Sequence, residues 1–518
     1  VQPRPPFPLW LALILAAAGG LLNSDAFPER GWWPLVFVGT ALILWSLKGR
    51  RVWPSLLIGF VAGFGFFGNH ILWLTVYLGP VPWIGLAGLE SVFFAIGAAL
   101  IALAWRVVPT LWPGIAGRLL GVPVALAALW TLREAITSVW PYGGFSWGRL
   151  AFSQSDSPFS HLVAWLGISG LSFVLAWLSA VLLQAFLETS VRWSLRGVLA
   201  SAAFVLVLVI PAFPVVTSGT VKVAAVQGNA KTGLFAKYTP GEILDDHLQA
   251  TVPILKKKVD VVVWPENASD LNPLTDKRAA QTLDFITGEM NAPLVTGTIT
   301  SASGGRTFNS LLLWENGRGS VQQYDKMHPV PFAEYLPNRS FFYPLAPKLF
   351  DLVPRDYSFG TRSNVFDIKG IKAGVAICFD IVDDSLIQKM VDGGAQYILA
   401  PTNNADFGHT DESRQQLAIA RLRAIETGRS IVNDSTVGVT AMYGPDGALI
   451  ASLPTFTAGA LVEKIPLSTT TTLASVAGRS IEWLVGALGL VMLAFGLLFA
   501  RRSATPAFVR RAKRGRRG

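Results

Sequence analysis

Long apolar runs separated by short polar breaks fill the first 212 residues, and one more run lies near the end of the chain. A bilayer core of about 30 Å needs about 20 mostly apolar residues per helix. On that measure candidate spans fall at about 8–22, 32–47, 53–78, 82–105, 119–137, 159–186, 195–212 and 481–500. The first resembles a secretory signal in length, but no A-x-A cleavage motif follows it and further spans do. From Thr220 the pattern changes. Residues 221–226 alternate and turn polar at Gln227, and 260–264 form a buried run ending at Pro265 and Glu266. The pattern predicts helices at about 241–258, 275–290, 383–392 and 412–427. Strands are expected at about 293–300, 309–314, 320–324, 371–377 and 397–400, with more through about 463. Strands alternating with helices predict a layered α/β fold, with polar strand ends as the place for chemistry.

Composition agrees with a membrane part and a folded part. Of 518 residues, 51% are hydrophobic and 15% charged, against about 25% charged in ordinary globular domains. Disorder and a fully soluble chain are excluded. The net charge of +10 is unevenly placed. Residues 1–220 hold 11 Lys/Arg and 6 Asp/Glu, 221–480 hold 24 and 26, and 481–518 hold 8 and 1. The excess therefore lies mostly in a tail from Arg501, with no nucleic-acid-reading motif beside it, so no nucleic-acid partner is expected. Lys48, Arg50 and Arg51, then Arg106 and Arg118, then Arg192 and Arg196 mark every second loop as cytoplasmic. Both ends are then expected in the cytoplasm, and the folded part outside it. The expected division is 1–219 membrane helices, 220–475 folded α/β domain, 476–500 final span and 501–518 basic tail. Asn69, His70, Glu90, Arg133 and Glu134 fall in or beside spans, where such groups face the bundle interior or a wet cavity.

The single cysteine, Cys378, excludes an internal disulfide or a cysteine zinc site. It follows the apolar run 371–377 at a strand-to-helix turn, and a helix N-terminus is expected to lower its thiol pKa. Alone, a buried Cys is only a small hydrophobe. A nucleophile needs a base and an oxyanion stabiliser. No histidine is an obvious base, but Glu266 ends an apolar strand, where desolvation raises a carboxyl pKa. Lys326 leaves another strand into a Pro-rich loop and can supply the cation. Taken singly, either residue reads as a surface charge. No P-loop, H-E-x-x-H or Cys/His cluster occurs, so no cofactor or metal is expected.

Together, Trp264-Pro265-Glu266, Tyr324-Asp325-Lys326 and Cys378, in that order, resemble the nitrilase superfamily. The resemblance implies a four-layer αββα sandwich with a Glu–Lys–Cys triad, inserted here between seven membrane helices and one. Lys326 followed by Val330-Pro331-Phe332-Ala333-Glu334-Tyr335 matches a superfamily pattern in which Glu334 orients the lysine and the intermediate. With its membrane spans, and with Tyr142 to Gly148 and Ser153-Gln154 matching a loop before span six, the chain resembles the superfamily's membrane-bound branch, the apolipoprotein N-acyltransferases. That likeness implies acyl transfer from a membrane phospholipid, through a cysteine thioester, to the α-amino group of a diacylated apolipoprotein, by a monomer. Phe379 and Asp380 would then help stabilise the intermediate, with Asp380 standing where many members have Glu. Phe332, Tyr335, Phe341 and Phe342 could form a lid, and Asp406 stands where the family often has a large aromatic over the acyl pocket. Two alternatives are a membrane-tethered amidase of small amides and a non-catalytic scaffold.

Overall fold

The computed structural model describes residues 5–233, 236–352 and 356–504; the expected basic tail from 505 onward lies outside them. Its apolar runs are helices: α1 (Leu9–Asp25), α2 (Leu35–Leu47), α3 (Val52–His70), the short α4 (Leu74–Leu78), α5 (Pro80–Val107), α6 (Val122–Thr137), α7 (Val163–Leu187) and α8 (Trp193–Leu208). Small residues let these helices approach closely. A side chain at Gly20 would collide with the Ala62 carbonyl on α3, and one at Gly59 with Ala98 on α5. Arg133 and Glu134 are buried in the bundle, pair at 3.2 Å, and the guanidinium of Arg133 lies over Phe94.

The run expected as one span over 53–78 is broken. Helix α3 stops at His70, a turn intervenes, and α4 ends on Gly79 at φ +78°, after which Pro80 starts α5. Pro fits the first helical turn because no partner is needed there for its missing N–H. Among the described residues five helical stretches are long and apolar enough to cross a bilayer, including the last one, while α1, α2 and α8 are shorter.

The remaining elements follow in chain order: β1 (Thr217–Gln227), α9 (Glu242–Thr251), β2 (Val261–Val263), α10 (Lys277–Met290), β3 (Leu294–Ala302), β4 (Arg306–Glu315), β5 (Gly319–Asp325), α11 (Arg339–Phe342), α12 (Pro347–Phe350), β6 (Val365–Ile368), β7 (Ile371–Val375), α13 (Asp384–Asp392), β8 (Tyr397–Thr402), α14 (Glu412–Thr427), β9 (Ser430–Ser435), β10 (Ala441–Tyr443), β11 (Leu449–Ser452), β12 (Gly459–Ser468), α15 (Leu473–Ala477) and α16 (Ser480–Ala504). They build two mixed sheets, ordered β12-β1-β2-β3-β4-β5 and β11-β10-β9-β8-β7-β6. Three parallel strands form the middle of each, β1-β2-β3 and β7-β8-β9.

Strand alternation sorts the side chains into layers. Val223, Val263 and Val295 of the first sheet meet Val375, Ile377 and Val432 of the second in one core. On the other face of the first sheet, Ala224, Val262 and Trp264 pack on α9 and α10. On the outer face of the second, Ala376, Ile398 and Ile431 share one continuous core with α13, α14 and the membrane helices. Thus α14 lies between a sheet and the membrane bundle, and carries buried residues all round.

Candidate active site

Three strand ends converge. Glu266 lies just beyond β2, Lys326 just beyond β5, and Cys378 at the turn after β7. Gly297 on β3 makes room for the first: a Cβ there would lie 2.6 Å from the Cα of Glu266. Cys378 sits at φ +50°, a left-handed conformation uncommon for a residue with a side chain and one that surrounding structure must hold. The carboxylate of Asp380 does part of this, accepting from the Ile377 N–H at 3.0 Å and from the Tyr324 hydroxyl at 2.8 Å.

Lys326 is 2% exposed and faces Glu334 at 2.9 Å. Burial opposes its charge, yet Glu334 and Glu266 outweigh burial and hold the ammonium above its usual range. Glu266 is raised by burial, with Lys326 opposing. Its oxygens accept from Asn309 Nδ2 at 2.7 Å and from the Asn403 N–H at 2.8 Å. The same Asn309 nitrogen reaches Glu334 at 2.9 Å, bridging the two carboxylates. Glu334 also accepts from the Val330 N–H at 2.6 Å.

The thiol differs from the sequence expectation. A turn N-terminus was expected to lower its pKa; burial and then the charge of Glu266 push it up instead, against Lys326. The resting site therefore favours a neutral thiol, and a base must take the proton. His328 is not placed to do so, since it pairs at 2.5 Å with Asp383.

Thr402 touches the thiol and donates to Gln416 at 3.0 Å. Asn404 donates to both Gln416 and Glu412, and burial pushes Glu412 up to about 8. Asn309, Thr402, Asn404, Glu412 and Gln416 were not singled out in the sequence. Their one signal is polar character inside elements that are otherwise buried.

Aromatic residues join the site to the membrane helices. Phe379 stacks on Trp147 at 5.9 Å with planes 2° apart, and on Phe145 at 6.1 Å. It thus lines the membrane side of the turn rather than the carboxylate cluster. Trp147 and Trp73 both donate to Gln415 of α14. Phe332, Phe341 and Phe342 pack together, and Tyr142 from the membrane part touches Phe332 and Phe342. Tyr335 turns instead toward Phe359. Asp406 is partly buried beside Tyr77 and Tyr238, on which its charge acts. The aromatic surface there comes from Phe407, against Trp73 and Tyr77.

Burial raises Asp380 to about 7, outweighing Lys326. Its protonated form is favoured by folding, so stability from this group is greatest at low pH and falls as pH rises from about 4 through 7, by at most about 4 kcal/mol. Asp380→Asn should therefore gain in melting temperature relative to the parent as pH is raised across that window. Thermal unfolding of both proteins in detergent, at steps from pH 4 to 8, checks this, and a constant difference refutes it.

Comparison with known proteins gives two matching family descriptions. Residues 19–181 match the apolipoprotein N-acyltransferase N-terminal domain and residues 222–475 match carbon-nitrogen hydrolase. The apolipoprotein N-acyltransferase of Mycolicibacterium smegmatis is 31% identical over 96% of this chain and 87% of that protein. The chain belongs to the apolipoprotein N-acyltransferase family. Apolipoprotein N-acyltransferases of Pseudomonas aeruginosa (31% identical, 89% of this chain and 91% of that one) and Haemophilus influenzae (26%, 97% and 96%) are also similar. An amidase from Nesterenkonia sp. is 17% identical, with a TM-score of 0.38 over 49% of this chain and 94% of that one. The layers that match carbon-nitrogen hydrolase are thus joined to apolar helices, and the protein is a membrane protein.

Proposed function

We propose that the chain transfers an acyl group from a membrane phospholipid, through a thioester on Cys378, to the α-amino group of a diacylated apolipoprotein. The observation that carries this reading is a partly buried thiol meeting a buried ammonium and carboxylate beside aromatic residues shared with the membrane helices. Glu266, with its carboxyl held high, takes the thiol proton. Sulfur attacks the ester carbonyl carbon, and Lys326 with the Phe379 N–H stabilises the oxyanion. The C–O bond breaks, and the lysophospholipid leaves with the proton from Glu266. The acceptor amine then attacks the thioester, Glu266 receives its proton, and the thiolate departs to be reprotonated. The balance closes without a cofactor. Glu334 orients Lys326, Asp380 holds the turn, and Phe332, Phe341 and Phe342 cover the acyl chain, with Tyr335 packed on Phe359 beside them.

The proposed topology has seven spans before residue 220, with α3 and α4 counted as one, and a last span in α16. The first enters from the cytoplasmic side and the basic tail returns to it. The catalytic domain, 220–475, then stands outside the cytoplasm, where both lipidated substrates are held at the bilayer surface, and a single copy suffices. A two-step path requires a donor-only intermediate. Purified protein in phospholipid nanodiscs, without acceptor, should show an acyl mass on the Cys378 peptide, and a diacylated lipopeptide should remove it. Transfer at full rate with no such adduct refutes the proposal.

A further inference from the structure

The strand that leads into the nucleophile turn has a parallel neighbour. Val375 of β7 is level with Leu399 of β8, and the Ala376 N–H carries the pairing one bond further, donating to the Leu399 carbonyl at 2.9 Å. Three residues beyond that level stand Cys378 and Thr402, so the register itself makes the threonine the neighbour of the nucleophile. Its hydroxyl meets the sulfur, and the residue is 1% exposed.

A threonine hydroxyl has one proton to donate and two lone pairs. In the resting site that proton goes to Gln416 Oε1 at 3.0 Å, which leaves a lone pair for a neutral S–H. The Gln416 oxygen does not depend on it. Asn404 Nδ2 donates to the same oxygen at 2.8 Å. Asn404 is itself fixed, since its nitrogen also donates to Glu412 at 2.7 Å and its oxygen accepts from the Ser435 hydroxyl. When the Thr402 hydroxyl turns away, Gln416 therefore keeps a donor, and no buried acceptor is orphaned. The hydroxyl can turn its proton to sulfur as soon as the thiol has lost its own.

Sulfur has a use for that proton. Among the charged groups acting on it, Glu266 and Glu412 oppose a thiolate and Lys326 favours one. Lys326 is held by Glu334 at 2.9 Å, and in the acyl-transfer path it faces the oxyanion. A thioester path makes sulfur anionic twice, as attacking group and as leaving group. We propose, resting on the thioester reading of Cys378, that the Thr402 hydroxyl donates to the thiolate before attack and again as sulfur leaves the second tetrahedral intermediate. It returns its hydrogen bond to Gln416 when the thiol is reprotonated. No proton changes owner at Thr402: the hydroxyl rotates about its C–O bond, and Glu266 takes and returns the thiol proton.

Cys378 is the only cysteine of the chain and is partly exposed, so its alkylation by iodoacetamide reads the thiolate population without acyl chemistry. Full-length protein in nanodiscs is used. Thr402→Val keeps the shape and loses the hydroxyl, and should be alkylated roughly tenfold more slowly than the parent at each pH from about 7 to 9. Its transfer to a diacylated lipopeptide should fall roughly 10- to 100-fold, the effect of losing a hydrogen bond to a charged group. Thr402→Ala should behave like Thr402→Val, whereas Thr402→Ser should stay within about threefold of the parent in both measurements. Alkylation of the Val and Ala variants at the parent rate, or slowed alkylation with full transfer, overturns the proposal. So does a Thr402→Ser protein that loses as much as Thr402→Val, which would assign the effect to packing of the methyl group. Failure of the thioester reading looks different: the parent then forms no acyl adduct on Cys378 from donor alone, whatever the alkylation rates.

Discussion

Cys378→Ala is expected to abolish acyl transfer to a diacylated lipopeptide, by at least about 10⁴-fold, with the protein still folded in the membrane. The substitution keeps the Cβ and so adds no strain at φ +50°. It removes one sulfur that is only partly exposed to solvent, leaving the Asp380 and Tyr324 bonds that hold the turn in place. Cys378→Ser should be nearly as inactive, because a hydroxyl is less acidic than a thiol that burial already pushes up. Transfer in proteoliposomes, followed by lipopeptide mass, measures both. In the parent, activity should rise with pH as Glu266 loses its proton, and this limb should lie above the ordinary carboxylate range because burial raises that group. Substantial transfer by Cys378→Ala would require another nucleophile and overturn the thioester path.

The residues most legible in the sequence are those whose local pattern also fixes their place. Glu266 and Cys378 each end an apolar strand and Lys326 ends a more polar one, and strand ends on one side of layered sheets lie near each other. Asn309 was hidden because a lone Asn beginning an apolar run looks like a turn residue. Its role needs β4 beside β3, so that one amide can reach Glu266 and Glu334 together. The direction of the thiol shift was hidden for the same reason, since it depends on burial and on a carboxylate more than a hundred residues away. Helix α14 misleads in another way. Its Arg423 has the spacing of a solvated charge, yet α14 lies between a sheet and the membrane bundle, and Arg423 is 1% exposed in a net of carboxylates and carbonyls. The helix break at His70 is marked in the sequence only by the polar pair Asn69-His70, because residues 71–78 remain apolar; Gly79 and Pro80 fix its far side.

Lys326→Met is expected to lower transfer by about 10³-fold or more, through loss of oxyanion stabilisation, and also to destabilise the fold. The two effects have separate causes. In the folded protein the ammonium stands between Glu334 and Glu266, and its charge also acts on Cys378 and Asp380. A methionine of similar length leaves these carboxylates facing each other without a cation, and breaking one side of a buried pair typically costs about 3–5 kcal/mol. Protonation of Glu266, whose carboxyl burial already holds high, can relieve part of that cost, so the variant's stability should fall as pH rises and that group ionises. Adding Glu334→Gln removes one of the opposed charges while keeping an acceptor for the Val330 N–H. The double variant should therefore regain most of the lost melting temperature near neutral pH. It should regain none of the activity, because the oxyanion still lacks its ammonium. Recovery of transfer alongside stability would mean that Lys326 serves only to balance buried charge, and the proposed role at the tetrahedral intermediate would be wrong.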